Sequence, residues 1–307
     1  MTGVQIGAGE TARIYKIDYD EQGEPSAFIN PAGQRSNLTV DPVGRMTAFT
    51  RPDGAVTTFA HDANGNLTSI TPPGRPAHTF TYNAQNQMTA YAPPAVDGGN
   101  TTTTYAYNLD GQLTTLTRPD ASVVALRYDA AGRTAQVELG RGAIGYGYDS
   151  TTGQLNRITA PDGGVLRYKF DGPLLTESTW SGVVAGDVQR TYDDFRRVSR
   201  LTVGNQSVTY SYDADGLVTQ AGALLIEYDE HGLPSGSTLS NIATATVFNS
   251  FGELANSRVT VAGDTLYDAL YARDEMGRIT HKAEVIDDHS VIFDYAYNEV
   301  GRLREVR

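Results

Sequence analysis

Two segments of this chain set out oxygen-bearing side chains in the manner of a calcium loop: Asp62-Ala63-Asn64-Gly65-Asn66 and Asp213-Ala214-Asp215-Gly216. A complete loop of the EF-hand kind also needs Gly at its sixth position and a bidentate Glu at its twelfth. Counted from Asp62, those positions hold Leu67 and Pro73, so the ligand set stops half-way. The five histidines (His61, His78, His231, His281, His289) are scattered, with His281 and His289 the nearest pair. Zero Cys removes thiolate metal sites and the usual thiol nucleophile. The adjacent carboxylates Asp193-Asp194 and Asp287-Asp288 would point to opposite faces of a strand, so neither pair converges on a substrate as acid and base must. No Gly-x-Ser-x-Gly elbow, phosphate loop or dinucleotide fingerprint occurs. The expectation is a non-enzyme with no catalytic, cofactor-binding or metal residues and no cofactor.

Both calcium-like segments coincide with a larger pattern. Tyr-Asp-x-x-Gly, then Arg, Gln or Asn, an apolar residue and Thr, recurs about every 21 residues. Its best copies start at Tyr107, Tyr128 and Tyr212, and looser ones at Tyr19, Val40, His61, Tyr82, Tyr148, Phe170, Tyr192, Tyr228, Phe248, Arg273 and Tyr297. A fixed period in this range marks a repeat architecture. Half a period away stand Pro-containing turns: Arg51-Pro52-Asp53-Gly54, Arg118-Pro119-Asp120-Ala121 and Ala160-Pro161-Asp162-Gly163, with Asn30-Pro31-Ala32-Gly33 and Pro72-Pro73-Gly74 as variants. Between them lie short runs rich in Thr, β-branched and aromatic residues, such as Leu113–Thr117 and Ser122–Tyr128. Each unit therefore reads as two strands of about six residues and two tight turns. The fold class is all-β: consecutive antiparallel hairpins in one curved or coiled sheet.

Within a unit, the Asp should accept a backbone N–H two residues on, and Gly should supply positive φ. The Tyr ring should pack over the preceding hairpin, with its hydroxyl reaching water or a neighbouring turn. Arg45, Arg133, Arg278 and Arg302 follow the Gly position and could bond the acid of their own or the next turn. The spacing is uneven: the step from Tyr82 to Tyr107 is long, that from Tyr212 to Tyr228 short, Phe170-Asp171-Gly172-Pro173 has lost the pattern, and Arg196 stands where Gly belongs. Extra residues such as Val96-Asp97-Gly98-Gly99-Asn100 should project as loops.

Composition agrees with an array of units. A 39% hydrophobic content is low for one central core but suffices where neighbouring repeats bury one another's faces. Gly 32 and Tyr 18, against Met 4 and Trp 1, is a strand-and-turn composition. With Lys+Arg 24 against Asp+Glu 36, the net charge of -12 opposes binding to a phosphate backbone, and nucleic acid is not an expected partner. The first ten residues lack a charged n-region and apolar h-region, and no run is long enough to span a bilayer. The chain stops at Glu305-Val306-Arg307, just after a repeat turn and within a strand, as a piece of a longer polypeptide would. Residues 1–307 are then one array of about fourteen units, with any export signal outside it.

The Tyr-Asp-x-x-Gly-Arg/Gln-Leu-Thr motif with Arg-Pro-Asp-Gly turns resembles the YD repeats of the Rhs family, found also in teneurins and in shell components of insecticidal toxin complexes. The resemblance covers essentially the whole chain and is specific because it recurs. It implies a long β-sheet coiled into a hollow shell, enclosing a C-terminal toxin domain in bacterial members and forming part of an adhesion receptor in teneurins. Two family features are absent: a core with an Asp-Pro-x-Gly-Leu autoproteolysis segment, and a variable C-terminal domain. Asp41-Pro42-Val43-Gly44-Arg45 is in register with the repeat and reads as a turn variant.

The expected function is a non-catalytic length of shell wall, around a toxin or effector or in a cell-surface protein. The location would be secreted or cell-surface, and the partners the rest of the parent polypeptide and an enclosed domain. The alternative is an extracellular module binding glycans or a protein through exposed tyrosines and loops. Tyr15, Tyr19, Tyr82, Tyr105, Tyr107, Tyr146, Tyr148, Tyr295 and Tyr297 are its candidates, several of them spaced two apart and so on one strand face.

Overall fold

A computed structural model of the chain describes residues 2–6, 12–95 and 98–307. Those residues form twenty-nine β-strands, from Thr2–Ile6 (β1) and Arg13–Tyr19 (β2) to His289–Tyr297 (β28) and Leu303–Val306 (β29), and among them there is no helix. Strands run from Val218–Ala221, four residues, to Asp264–Arg273, ten. Among the described residues the strand pairings are antiparallel and join a strand to its neighbour in sequence, as in Ala125↔Glu138 followed by Gln136↔Gly145. The sequence-level reading of consecutive hairpins is what the chain builds.

The hydrophobic core is spread thin. Among the described residues only Ala27, Ala269 and Ser178 are buried, and no large side chain is fully enclosed. Strands leading into a Tyr-Asp turn alternate instead: in Thr103–Tyr107 the Thr103, Tyr105 and Tyr107 side chains are half-buried while Thr104 and Ala106 are exposed. Val56–His61 and His78–Tyr82 repeat the alternation. One sheet face thus carries the rings and branched aliphatics, and the other carries Thr, Ala and charged groups, as a period of two dictates. Rings on the first face meet across strands, as Phe80 and Tyr91 do at 5.2 Å, and along one strand, as Tyr168 and Phe170 do at 6.4 Å.

The chain divides into two compact units. One comprises Met1–Phe59 with Ser211–Arg307, and the other Ala60–Tyr210. The second is a continuous run of hairpins. The first is built from two segments distant in sequence, which Arg13 joins: its two terminal nitrogens donate to the two carboxylate oxygens of Glu253, at 2.8 and 2.9 Å.

The uneven spacing has local causes. The short step to Tyr228 uses the four-residue strand Val218–Ala221 and the two-residue turn Gly222-Ala223. In the long step before Tyr107, Gly98 to Asn100 are exposed and outside any strand; Val96 and Asp97 lie outside the described residues. The degenerate copy at Phe170 becomes a two-residue turn, with Asp171 paired to Leu174 across Gly172-Pro173. Arg196 takes the Gly conformation itself, at φ 65°.

Candidate functional site: a repeated turn joint

Every motif residue has a structural task, and Asp has the most precise one. At each turn from Asp20 to Asn298, except those of Asp149 and Asp171, the Asp or Asn Oδ1 accepts the backbone N–H groups two and four residues on. At Asp149 the turn is one residue longer, and Thr152 shares the capping. Gly three places after the acid lies at positive φ, 77° at Gly132, where a side chain is disfavoured. The next residue bonds the acid's second oxygen: Arg45, Arg133, Arg197 and Arg278 donate from Nε at 2.6, 2.8, 2.8 and 2.7 Å to Asp41, Asp129, Asp193 and Asp274. Arg302 donates its backbone N–H to Asn298 Oδ1 at 2.9 Å and has no ion pair among the described residues. The Arg133 bond, with the backbone N–H groups, holds the Asp129 carboxyl below its ordinary range.

The motif Thr is the extra residue of a β-bulge. Pairing shifts at the register residue, so Ala106 faces Thr115 while Tyr107 faces Leu113, and Thr114 is left over. Its hydroxyl donates to the Ala106 carbonyl at 3.1 Å. Thr47, Thr176 and Thr280 do the same to Thr39, Lys169 and Ala272.

The tyrosines bolt successive units together. Tyr128 Oη donates to the Leu113 carbonyl at 2.7 Å, the first strand residue after the preceding turn. Tyr82, Tyr107, Tyr148, Tyr192, Tyr228 and Tyr297 donate to Leu67, Met88, Thr134, Leu175, Val218 and Ile279 in the same position. Arg273 stands in the register place of Tyr, and its guanidinium donates to the equivalent Leu254 carbonyl at 3.2 Å. In the Ala60–Tyr210 unit a second thread runs along the turns: Gln87, Gln112, Arg133 and Gln154 each donate to the Gly carbonyl of the following turn, at Gly111, Gly132, Gly153 and Gly172.

This geometry goes with rings packed along the sheet rather than with the alternative of a row of exposed rings. Of the nine candidate tyrosines only Tyr19 is exposed, at 41%; the other eight are half-buried. The calcium-like oxygens are occupied too: Asp62 Oδ1 takes the N–H groups of Asn64 and Asn66, and Oδ2 takes the Asn66 amide at 2.9 Å. His78 bonds Tyr91 Oη, His281 bonds Asp294, and His289 bonds the Asp287 carbonyl, so the structure does not bring the histidines together. No group of three His, Cys, Asp or Glu that could hold a metal exists among the described residues.

The first unit contains a cleft of ≈ 560 Å³ lined by Arg13, Lys16, Asn30, Phe251, Tyr271 and Arg273, among others. Its two arginines converge on Glu253, Arg13 bidentately and Arg273 at 3.7 Å. Arg13 also covers the Phe251 ring at 3.9 Å. The Arg13 hydrogen bonds, aided by the Asn249 amide and the charge of Arg273, pull the Glu253 carboxyl down to about 2. Sequence reasoning missed this pair, because it joins residues 240 positions apart and Glu253 carries only the ordinary signature of its repeat position. Beside the cleft, then, runs a seam in which cations and acid neutralise one another.

A β-array whose repeated side chains serve turns, bulges and unit-to-unit bolts defines a structural repeat protein. A family model described as Teneurin YD-shell matches residues 4–307, and the chain belongs to that family. Solved structures share the fold. The crystal structure of TcdB2-TccC3 superposes with a TM-score of 0.75 at 13% identity, over 96% of this chain and 20% of that one. TcdB2-TccC3-TEV gives 0.74 at 13% identity, over 96% and 19%. TcdB2-TccC3 without its hypervariable C-terminal region gives 0.57 at 15% identity, over 95% and 18%. This chain therefore spans about a fifth of the length of those structures. None of the curated proteins matches the sequence. No helix among the described residues is long and apolar enough to cross a membrane.

Proposed function

We propose that the chain is a non-catalytic length of wall in a hollow β-shell, acting as one array of about fourteen units within a longer polypeptide that encloses a toxin or effector segment. The observation that carries this reading is the bolt-and-bulge joint, which spends the polar side chains of each motif on holding neighbouring hairpins in register. A wall needs strand continuity and no free edges along its course, because edges invite pairing with other chains. It needs no central core, and thin burial on one aromatic face is what it has. Membership of a shell family and a shared fold with toxin-complex structures support the same reading. A secreted or cell-surface location goes with it.

Limited proteolysis of the parent polypeptide tests the enclosure. Segments held inside the wall should survive protease while the wall is intact, and become cleavable when Arg13→Ala and Glu253→Ala open the seam. Equal cleavage in both proteins would refute enclosure. A glycan-binding role has less support, since seven candidate or equivalent hydroxyls are already donated to backbone carbonyls.

A further inference from the structure

In the Ala60–Tyr210 unit one link of the turn-to-turn thread is made differently from the rest. Gln87, Gln112 and Gln154 reach the Gly carbonyl of the following turn with a side-chain amide. Asn66 holds the same place after its own Gly and is one methylene shorter. The following turn meets it half-way. Asn86 stands there in the Gly position at φ 60°, a conformation that Asn tolerates better than most side chains. Its Oδ1 accepts the Asn66 amide at 2.9 Å and the Asn64 amide at 3.1 Å. What Asn86 adds, where Gly would have none, is one acceptor for two amides.

Asn64 occupies the tip of its turn, one residue before the positive-φ position, as Phe195 and Phe251 do in theirs. It is the only Asn in the chain followed by Gly, and both residues are exposed. That dipeptide has a reaction of its own, because the Gly nitrogen, unshielded by a Cβ, is tethered beside the Asn side-chain carbon. The Gly65 nitrogen bonds to Asn64 Cγ, the Cγ–Nδ2 bond breaks, and the Gly65 amide proton leaves with Nδ2 as ammonia. Water then opens the cyclic imide at either carbonyl, leaving Asp or isoaspartate in place of Asn64. Two bonds of the folded chain oppose the closure. The Gly65 N–H donates to the Asp62 carbonyl at 3.1 Å, as its counterparts do at Gly44, Gly132 and Gly216. The Asn64 amide is tied to Asn86, which keeps Cγ from swinging towards the nitrogen.

We propose that Asn64 is a site of spontaneous deamidation and that Asn86 is the residue that restrains it. The modification puts an anion where Asn86 Oδ1 now meets a donor, and sets the new charge two residues from Asp62. The isoaspartate product also lengthens the backbone between the two N–H groups that Asp62 Oδ1 caps, those of Asn64 and Asn66. This link of the thread is therefore chemically perishable, while the turns of Gln87, Gln112 and Gln154 contain no Asn before Gly. Asn249 and Asn256, each followed by Ser, supply internal references: both are half-buried, and their amides are bonded to Glu253 and Asp268.

Peptide mass mapping of the folded chain, sampled over time in mildly alkaline buffer, is the test. Asn64 should convert slowly in the wild type and about fivefold faster in Asn86→Gly, the factor that one ordinary hydrogen bond is worth. Asn86→Gly restores the usual residue at a positive-φ position, so it should fold at least as well. Adding Asn66→Gln to it separates local restraint from the strength of the joint. The longer amide regains the backbone carbonyl at position 86, as Gln87 does at Gly111, but Asn64 still lacks its acceptor and should convert as fast as in Asn86→Gly alone. Conversion at Asn249 and Asn256 should be the same in all three proteins. Equal rates at Asn64 in wild type and Asn86→Gly, no conversion in either, a rate brought back by Asn66→Gln, or a parallel rise at Asn249 and Asn256 overturns the proposal.

Discussion

The hairpins have two ends, and they are built on different principles. At the Tyr-Asp end one construction recurs between Asp20 and Asn298, except at Asp149 and Asp171: an acid or amide capping two N–H groups and a residue at positive φ, with a bulge beside it and, at seven tyrosines and Arg273, a bolt to the preceding unit. At the opposite end the chain reverses by several routes. Arg51–Ala55, Arg118–Ser122 and Ala160–Gly164 use Pro-containing turns. Gly204-Asn205, Ser240-Asn241 and Asp287-Asp288 are two-residue turns opening at positive φ, 54°, 56° and 49°. The difference teaches where register is fixed. A bulge placed wrongly would slip every side chain to the other face, so the end that carries the bulge also carries the redundancy. The other end only has to turn.

The strongest way to break this comparison is at Glu253, where a Tyr-Asp turn also locks the seam. Glu253→Gln strands Arg13 in a pocket where its side chain is 11% exposed, and should cost about 3 kcal/mol in denaturant unfolding. The same pair sets an acid response. Glu253 sits at about 2 when folded and at 4.5 when free, so its contribution is complete above 4.5 and is lost as pH falls from there towards 2. The wild-type denaturation midpoint should therefore drop across that window more than that of Glu253→Gln.

Gly132→Ala follows in size. Its backbone at φ 77° and the Gln112 amide 3.3 Å from the new methyl should cost about 1.5 kcal/mol. At the opposite end Ala121 already occupies φ 65°, so Ala121→Gly should stabilise, by up to about 1 kcal/mol. Equal and like-signed effects would erase the distinction between the ends.

Tyr128→Phe removes one bolt and leaves the Leu113 carbonyl short of a donor, at about 1 kcal/mol. Tyr146→Phe, two residues before a register position, removes a hydroxyl that bolts nothing and should cost no more than a few tenths of a kcal/mol. Thermal melts of the two variants side by side sharpen the claim that position within the motif, not the ring alone, gives Tyr its role.

Much of this was legible in the chain. The Asp-Gly spacing announced a capped turn with positive φ, the Arg after Gly offered a bond to the acid of its own or the next turn, which Arg45, Arg133 and Arg278 make within their own, and tyrosines two apart, as at Tyr105 and Tyr107, announced one aromatic face. The role of the motif Thr was not legible. A bulge residue looks like any other strand residue until the partner strand supplies the register, and Thr114 acquires its meaning from the Ala106 carbonyl. The packing of the tyrosines was legible too, but not the carbonyl each hydroxyl meets, because side-chain spacing tells which face a ring is on and not what lies over it.

The sequence by itself determined the repeat: a period of about 21, two strands per unit, and turns closed by Asp and Gly. Those properties are local, since capping bonds span four residues and strand alternation spans two. The tertiary structure alone decided which repeats meet one another. Arg13 and Glu253 belong to ordinary positions of their units, and only the folding of Met1–Phe59 against Ser211–Arg307 makes them a pair. Phe251 is covered and Phe195 bare for the same reason: a tip residue's environment is set by what the rest of the chain brings to it, and no periodicity encodes that.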